Sequence, residues 1–100
     1  MKSITSIELF QLLQSKASIQ LIDVREPYEH AEFNIGGELI PLSQITQQIH
    51  LIEKTMPVIF YCRKGIRSHI AIQRLQHKIM LDNLINLTGG IDDWKKQFPV

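Results

Sequence analysis

Cysteine occurs once in this chain, as Cys62, so no internal disulfide is possible. A single thiol cannot build a thiolate cluster, and His30, His50, His69 and His77 are scattered, so no metal site and no cofactor is expected. Of the four histidines, His69 alone stands close to the cysteine in sequence; the others read as surface or helix residues. No apolar run approaches the roughly 18 residues of a transmembrane helix. Excess charge of one sign is missing too: the formal net charge is +1, which gives no global case for nucleic acid or for a membrane surface. Repeats, low-complexity tracts and linkers are absent. The opening MKSITSIELFQLLQ does not read as a signal peptide, because Glu8 and Gln11 interrupt any apolar core. A cytoplasmic location is the expectation, since a reducing compartment keeps a lone thiol usable. One domain, residues 1–100, with a single modest core is expected from the length.

What is present gathers around that one thiol. The stretch YCRKGIRS, residues 61–68, places Arg63, Lys64 and Arg67 close to Cys62, with Gly65 between them. A lone cysteine is most often a small inert hydrophobe, and a run of cations is most often a solvated surface. The neighbours favour another reading. Val58-Ile59-Phe60-Tyr61 follows Pro57 and reads as a buried strand, while Ser68 to Leu75 reads as a helix. The thiol therefore stands where a strand ends and a helix begins. Unpartnered first-turn amides, the positive end of the helix dipole and a glycine turn all favour thiolate over thiol there. A nucleophile, or the carrier of an anionic adduct, needs such surroundings; a structural cysteine does not.

The rest of the chain alternates strands and helices. Thr5-Ser6-Ile7-Glu8 matches a capping box, with Thr5 as N-cap of a helix through Leu9, Phe10, Leu12 and Leu13. Ile19 to Val24 reads as a strand, and Pro27 opens a short helix over Tyr28 to Glu32. Asn34 to Gly37 reads as a turn and Leu39 to Pro41 as a short strand. Ser43 is expected to cap a helix that aligns Ile45, Ile49 and Ile52 on one face. Leu84 to Leu87 reads as a strand, and Gly89-Gly90 leads into a last helix carrying Trp94. This alternation predicts an α/β fold, a central mostly parallel sheet with helices on both faces. In such sheets ligands bind beyond the carboxyl ends of the strands, which would bring Asp23, Arg25 and the cysteine loop to one edge. Asp23 could brace Arg67 or a loop amide there; a turn or capping aspartate is an equal reading.

Three stretches, in this order, carry a resemblance. LIDVREPYEHAEFNIGGELIPL, VIFYCRKGIRS and LTGGIDDWKKQFPV resemble the signatures of single-domain rhodaneses, the thiosulfate sulfurtransferases. The resemblance implies a rhodanese-like fold with Cys62 as nucleophile and persulfide carrier. It implies backbone amides of Arg63, Lys64, Gly65, Ile66, Arg67 and Ser68 around the sulfur, with Asp23 and Arg25 supporting the site. Trp94 matches a packing residue. The implied substrates are a small anionic donor such as thiosulfate, and cyanide or a thiol, a protein thiol included, as acceptor. The chain departs from the family pattern at Asn34, where a histidine is common, and at Glu38, where a small residue is common. Related readings are a persulfide relay and a catalytically silent binding module, which usually lacks the cysteine. A phosphatase of similar fold would carry one residue more than the four between Cys62 and Arg67.

Overall fold

The run Val58–Tyr61 is a strand at the centre of the protein, buried at every residue. The structure, a computed structural model, describes residues 1–99. In chain order its elements are β1 (Lys2–Ile4), α1 (Ser6–Gln14), β2 (Gln20–Asp23), α2 (Pro27–Glu32), β3 (Glu38–Leu39), two 3-10 turns (Leu42–Gln44 and Ile49–Leu51), β4 (Val58–Tyr61), α3 (Ile66–Gln76), β5 (Leu84–Leu87) and α4 (Gly90–Gln97). The strands lie in the order β1-β5-β4-β2-β3, and each pairing is parallel.

Alternation along β4 divides the core in two. Val58, Phe60 and the following Cys62 point to one face, where Ala71, Ile72 and Leu75 of α3 meet Ile45 and Ile52. Ile59 and Tyr61 point to the other, against Leu9 of α1 and Ile91 and Trp94 of α4. Each fully buried Ile, Leu or Phe here contributes about 1.5–3 kcal/mol of transfer free energy. Helices on both faces of a parallel sheet are what the strand and helix alternation predicted.

Local signals set most element ends. Thr5 and Glu8 form the expected capping box at α1. Pro27 starts α2, where a missing amide proton costs nothing. Several details differ from the sequence reading. A short edge strand, β1, precedes the capping box and exists through its pairing with β5. The third strand is Glu38–Leu39 rather than Leu39 to Pro41.

The helix expected after Ser43 is not formed: the segment turns twice in 3-10 form instead. Two side-chain amides hold the backbone at the end of this segment and just beyond it. Gln20 donates to Leu51 C=O at 2.7 Å and accepts from Glu53 N–H at 2.8 Å. Asn83 donates to the carbonyls of Glu53 and Met56. Ile45 and Ile52 still reach the core, so the hydrophobic spacing found the right residues in the wrong backbone.

Candidate active site

Cys62 leaves the carboxyl end of β4 and is followed by a tight loop to Gly65, the N-cap of α3. Gly65 has φ +94°, a left-handed conformation open to glycine and strained for other residues. That turn sends amides inward. The N–H of Gly65 donates to Cys62 Sγ at 3.1 Å, and the N–H of Ser68, in the first turn of α3, donates at 3.4 Å. The helix starts at Ile66, two residues before the sequence suggested, so Ile66, Arg67 and Ser68 belong to its first turn.

Ser68 Oγ lies 3.4 Å from Sγ and donates a hydrogen bond to Asn86 Oδ1 on β5. Asn86 Nδ2 donates to Gly65 C=O at 3.1 Å. One side-chain amide thus ties down both residues whose N–H groups reach the sulfur.

The loop carbonyls point the other way. Ile91 N–H donates to Cys62 C=O and Asp92 N–H to Arg63 C=O, each at 2.9 Å. These are first-turn amides of α4, otherwise unpaired. Gly90 makes the approach possible, since a Cβ there would collide with the carbonyls of Cys62 and Arg63. The Gly-Gly pair read simply as a helix start therefore serves as the seat of the cysteine loop. Cys62 itself is only 1% exposed and belongs to the core, yet with Arg63, Lys64, Ile66 and Arg67 it lines a cavity of about 260 Å³. Burial and a mouth coexist at this residue.

The cations separate. Arg63 and Lys64 are exposed, and Arg63 makes one loose pair with Asp92 at 3.4 Å. Arg67 donates from both terminal guanidinium nitrogens, Nη1 and Nη2, to Glu29 on α2, at 2.7 and 2.9 Å. Arg67 holds the Glu29 carboxyl down from an ordinary 4.5 to about 2, and Glu29 in turn raises Arg67. The expected Asp23–Arg67 brace is therefore wrong. Asp23 is fully buried and spends its oxygens on Arg25 and His30: Arg25 N–H and Nε at 3.0 Å, Arg25 Nη2 at 2.8 Å and His30 Nδ1 at 2.9 Å. Arg25 also reaches Phe33 C=O at 2.6 Å. Burial works against the Arg25 charge, and the Asp23 contacts outweigh it. Neither residue is bonded to the loop. Together they fix α2, and α2 presents Glu29 to Arg67.

Sequence reasoning missed Glu29, His30 and Asn86. Asn86 had a signal, a polar residue inside the otherwise apolar strand Leu84–Leu87. His30, read as a surface or helix residue, lies on α2 and also bonds buried Asp23, whereas His69 is exposed and makes no side-chain hydrogen bond among the described residues. The unusual Asn34 closes α2 and shapes the turn, donating to His30 C=O and accepting from Gly36 N–H, both at 2.9 Å. Glu38 accepts from Gln20 at 3.1 Å. Tyr61 OH donates to Gly36 C=O at 2.8 Å, and burial pushes its pKa upward. Among the described residues no group of three or more metal-ligating side chains occurs and no helix is long and apolar enough to cross a membrane.

Comparison with known proteins places this geometry. The model of the Rhodanese-like domain matches residues 6–97. The chain is 42% identical to the Bacillus subtilis protein YqhL over 94% of its own length and 72% of that protein. It is 34% identical to a protein named sulfurtransferase from Allochromatium vinosum, covering 93% of this chain and 87% of the relative. It spans about a quarter (25%) of the longer probable adenylyltransferase/sulfurtransferase MoeZ of Mycobacterium tuberculosis, at 35% identity over 95% of this chain. Among solved structures, a rhodanese-like domain protein from Staphylococcus aureus superposes with a TM-score of 0.84 at 30% identity, covering 94% of this chain and 91% of the other.

Proposed function

The chain belongs to the rhodanese-like domain family, and from that premise we propose that it is a sulfurtransferase carrying sulfane sulfur as a persulfide on Cys62. One observation supports this most: two amides of the α3 N-terminus, Gly65 and Ser68, converge on the sulfur of the chain's one cysteine. The Cys62 thiolate attacks the outer sulfur of thiosulfate. The S–S bond of the donor breaks, its electron pair leaves on sulfite, and Cys62 retains the outer sulfur as a persulfide. Cyanide or a thiolate then takes that sulfur and returns the thiolate, a ping-pong sequence. The attacking species is the thiolate form of Cys62, and the amides of Gly65 and Ser68 that point at Sγ favour it.

The loop residues Arg63, Lys64, Gly65, Ile66, Arg67 and Ser68 form the donor site. Exposed Arg63 and Lys64 draw a dianionic donor toward a narrow mouth and offset charge on the leaving sulfite. The inward amides stabilise the persulfide anion; a single preorganised donor of this kind can contribute about 10²–10³ in rate. Asp23 and Arg25 act at a distance, through α2. The phosphatase reading loses ground on Arg67, which a phosphatase would turn on its substrate and which here is bound twice by Glu29. A relay of the same persulfide to a protein thiol uses the same chemistry.

The test is intact mass after incubation with thiosulfate. Wild type gains one sulfur atom, lost again on adding cyanide, and Cys62→Ser gains none. A wild type that stays at its unloaded mass overturns the reading.

A further inference from the structure

Beside the loop lies a second, larger cavity, about 350 Å³, between α2 and α4. A small inorganic donor does not need it, since the loop has its own opening. Three cations and three carboxylates line it, with no excess of either sign. Arg25 and Glu29 are already committed, to Asp23 and to Arg67. That leaves Arg63 and Lys95 on the basic side, and Glu32 and the loosely paired Asp92 on the acidic side. Tyr28, 72% exposed, and Phe33 supply aromatic walls, and Lys95 Nζ sits 4.6 Å above the Phe33 ring.

The groove is joined to the nucleophile. Arg63 follows Cys62 directly and lines both openings. Ile91 and Asp92, on the groove wall, donate their amides to the carbonyls of Cys62 and Arg63. A ligand lying along α4 therefore ends beside the cysteine mouth.

We propose that this groove is the acceptor subsite and that it takes a zwitterionic thiol of amino-acid or short-peptide size. Arg63 and Lys95 receive its carboxylate, Glu32 its ammonium group, and the rings of Tyr28 and Phe33 cover its methylene stem. A polyanion would meet the carboxylates of Glu32 and Asp92, and a neutral thiol would leave the charges unused. The inference rests on the Cys62 persulfide reading for its chemistry. The acceptor thiol gives its proton to the anionic persulfide, the resulting thiolate attacks the outer sulfur, the Cys62 S–S bond breaks, and its electron pair returns to Sγ. The proton leaves with the new acceptor persulfide, so no oxidant or reductant enters.

Binding is measured first on the unloaded full chain, with S-methylglutathione as a probe that cannot accept sulfur. Amide shifts at Phe33, Ile91 and Lys95 are expected on titration, and Lys95→Glu should weaken the probe about tenfold by reversing a rim charge. Glu32→Lys should weaken it as well. No shifts at these residues, or equal affinity in both exposed-site variants and wild type, overturns the subsite. In the second measurement the protein is loaded with thiosulfate and discharged with glutathione, mercaptosuccinate or cyanide. Glutathione is expected to outpace mercaptosuccinate, and in Lys95→Glu the ratio of glutathione to cyanide discharge should fall about tenfold. Equal discharge by the two thiols overturns the zwitterion assignment. A chain that never loads sulfur defeats the persulfide reading instead, and the binding measurement still decides the groove.

Discussion

Asp23–Arg25 and Asp92–Arg63 are the same chemical pair at two depths. The first, 2.8 Å apart, is 0% and 5% exposed; the second, 3.4 Å apart, is 40% and 65% exposed. The buried pair has its contacts filled: Asp23 also binds His30 and the Arg25 backbone, and Arg25 also binds Phe33 C=O. Such a pair holds backbone in place and has little left for a ligand. The rim pair is loose, solvated and at the cysteine mouth, so its guanidinium can turn to an incoming anion at small cost. Depth divides the arginines into those that build the site and those that serve it. Glu29–Arg67 stands between, at 16% and 34% exposed.

Breaking the deep pair should have the largest effect. Asp23→Ala strands the Arg25 charge among buried groups and releases His30, and removing one partner of a buried pair costs about 3–5 kcal/mol. For a domain of this size each kcal/mol lowers Tm by about 4–8 °C. Urea unfolding of the variant measures the loss. Replacing the pair together, Asp23→Leu with Arg25→Met, should recover much of it, because no unpaired charge remains. Equal losses in the single and double variants would show that shape, rather than charge, is what the pair supplies.

The intermediate pair should show both behaviours. Glu29→Gln removes a charged partner of Arg67 and should cost about 1.5–3 kcal/mol, as hydrogen bonds to charged groups do. It should also slow sulfur loading, because Arg67 sits in the first turn of α3 beside the two amides on Sγ. The acid limb follows from the depressed carboxyl. Since its folded value is about 2 against an ordinary 4.5, the Glu29 contribution is fully present above the ordinary value and fades as pH falls toward 2. Wild-type stability should therefore decline over that window more than Glu29→Gln stability does. Parallel acid profiles for the two would show that Arg67 does not hold this carboxylate.

The depth of these pairs explains which of them the sequence could reveal. Strands β4 and β5 were legible to the residue, being short apolar runs ended by proline, glycine or a charged loop. The α1 capping box was legible because its partners lie three residues apart. Cys62 and its cations were legible as a cluster, although which cation is bound to what was not. Arg67 finds Glu29 thirty-eight positions away, a choice made by how α2 packs and not by any local pattern. The seat of the loop on α4 was hidden for the same reason: Gly90 reads as a helix start until Cys62 C=O lies against it. The Ser43 segment takes 3-10 turns instead of a helix, and Gln20 and Asn83, distant in sequence, hold the backbone at its end and just beyond it. Periodicity reports burial, and burial does not by itself choose between helix and 3-10 turn.

The smallest structural effect should come from the rim. Arg63→Ala removes a 3.4 Å contact between exposed groups, and pairs of this kind contribute about 0–1 kcal/mol. Its Tm should stay close to wild type. Its kinetics should not. On the proposed mechanism Arg63 attracts the donor before and during sulfur transfer, so its loss weakens ground-state and transition-state binding alike. That pattern raises KM for thiosulfate and leaves kcat near wild type. Lys64→Ala, also exposed, should behave the same way, and both KM effects should shrink as salt rises, since exposed charges are screened over about 10 Å at 0.1 M. Steady-state kinetics at two ionic strengths measures this. A fall in kcat with KM unchanged would show that Arg63 acts on the departing sulfite alone and does not attract the donor, and a salt-independent KM would place it deeper than its 65% exposure allows. Either result would close the distance between the two arginine–aspartate pairs: an arginine at the surface would be working as one in the interior does.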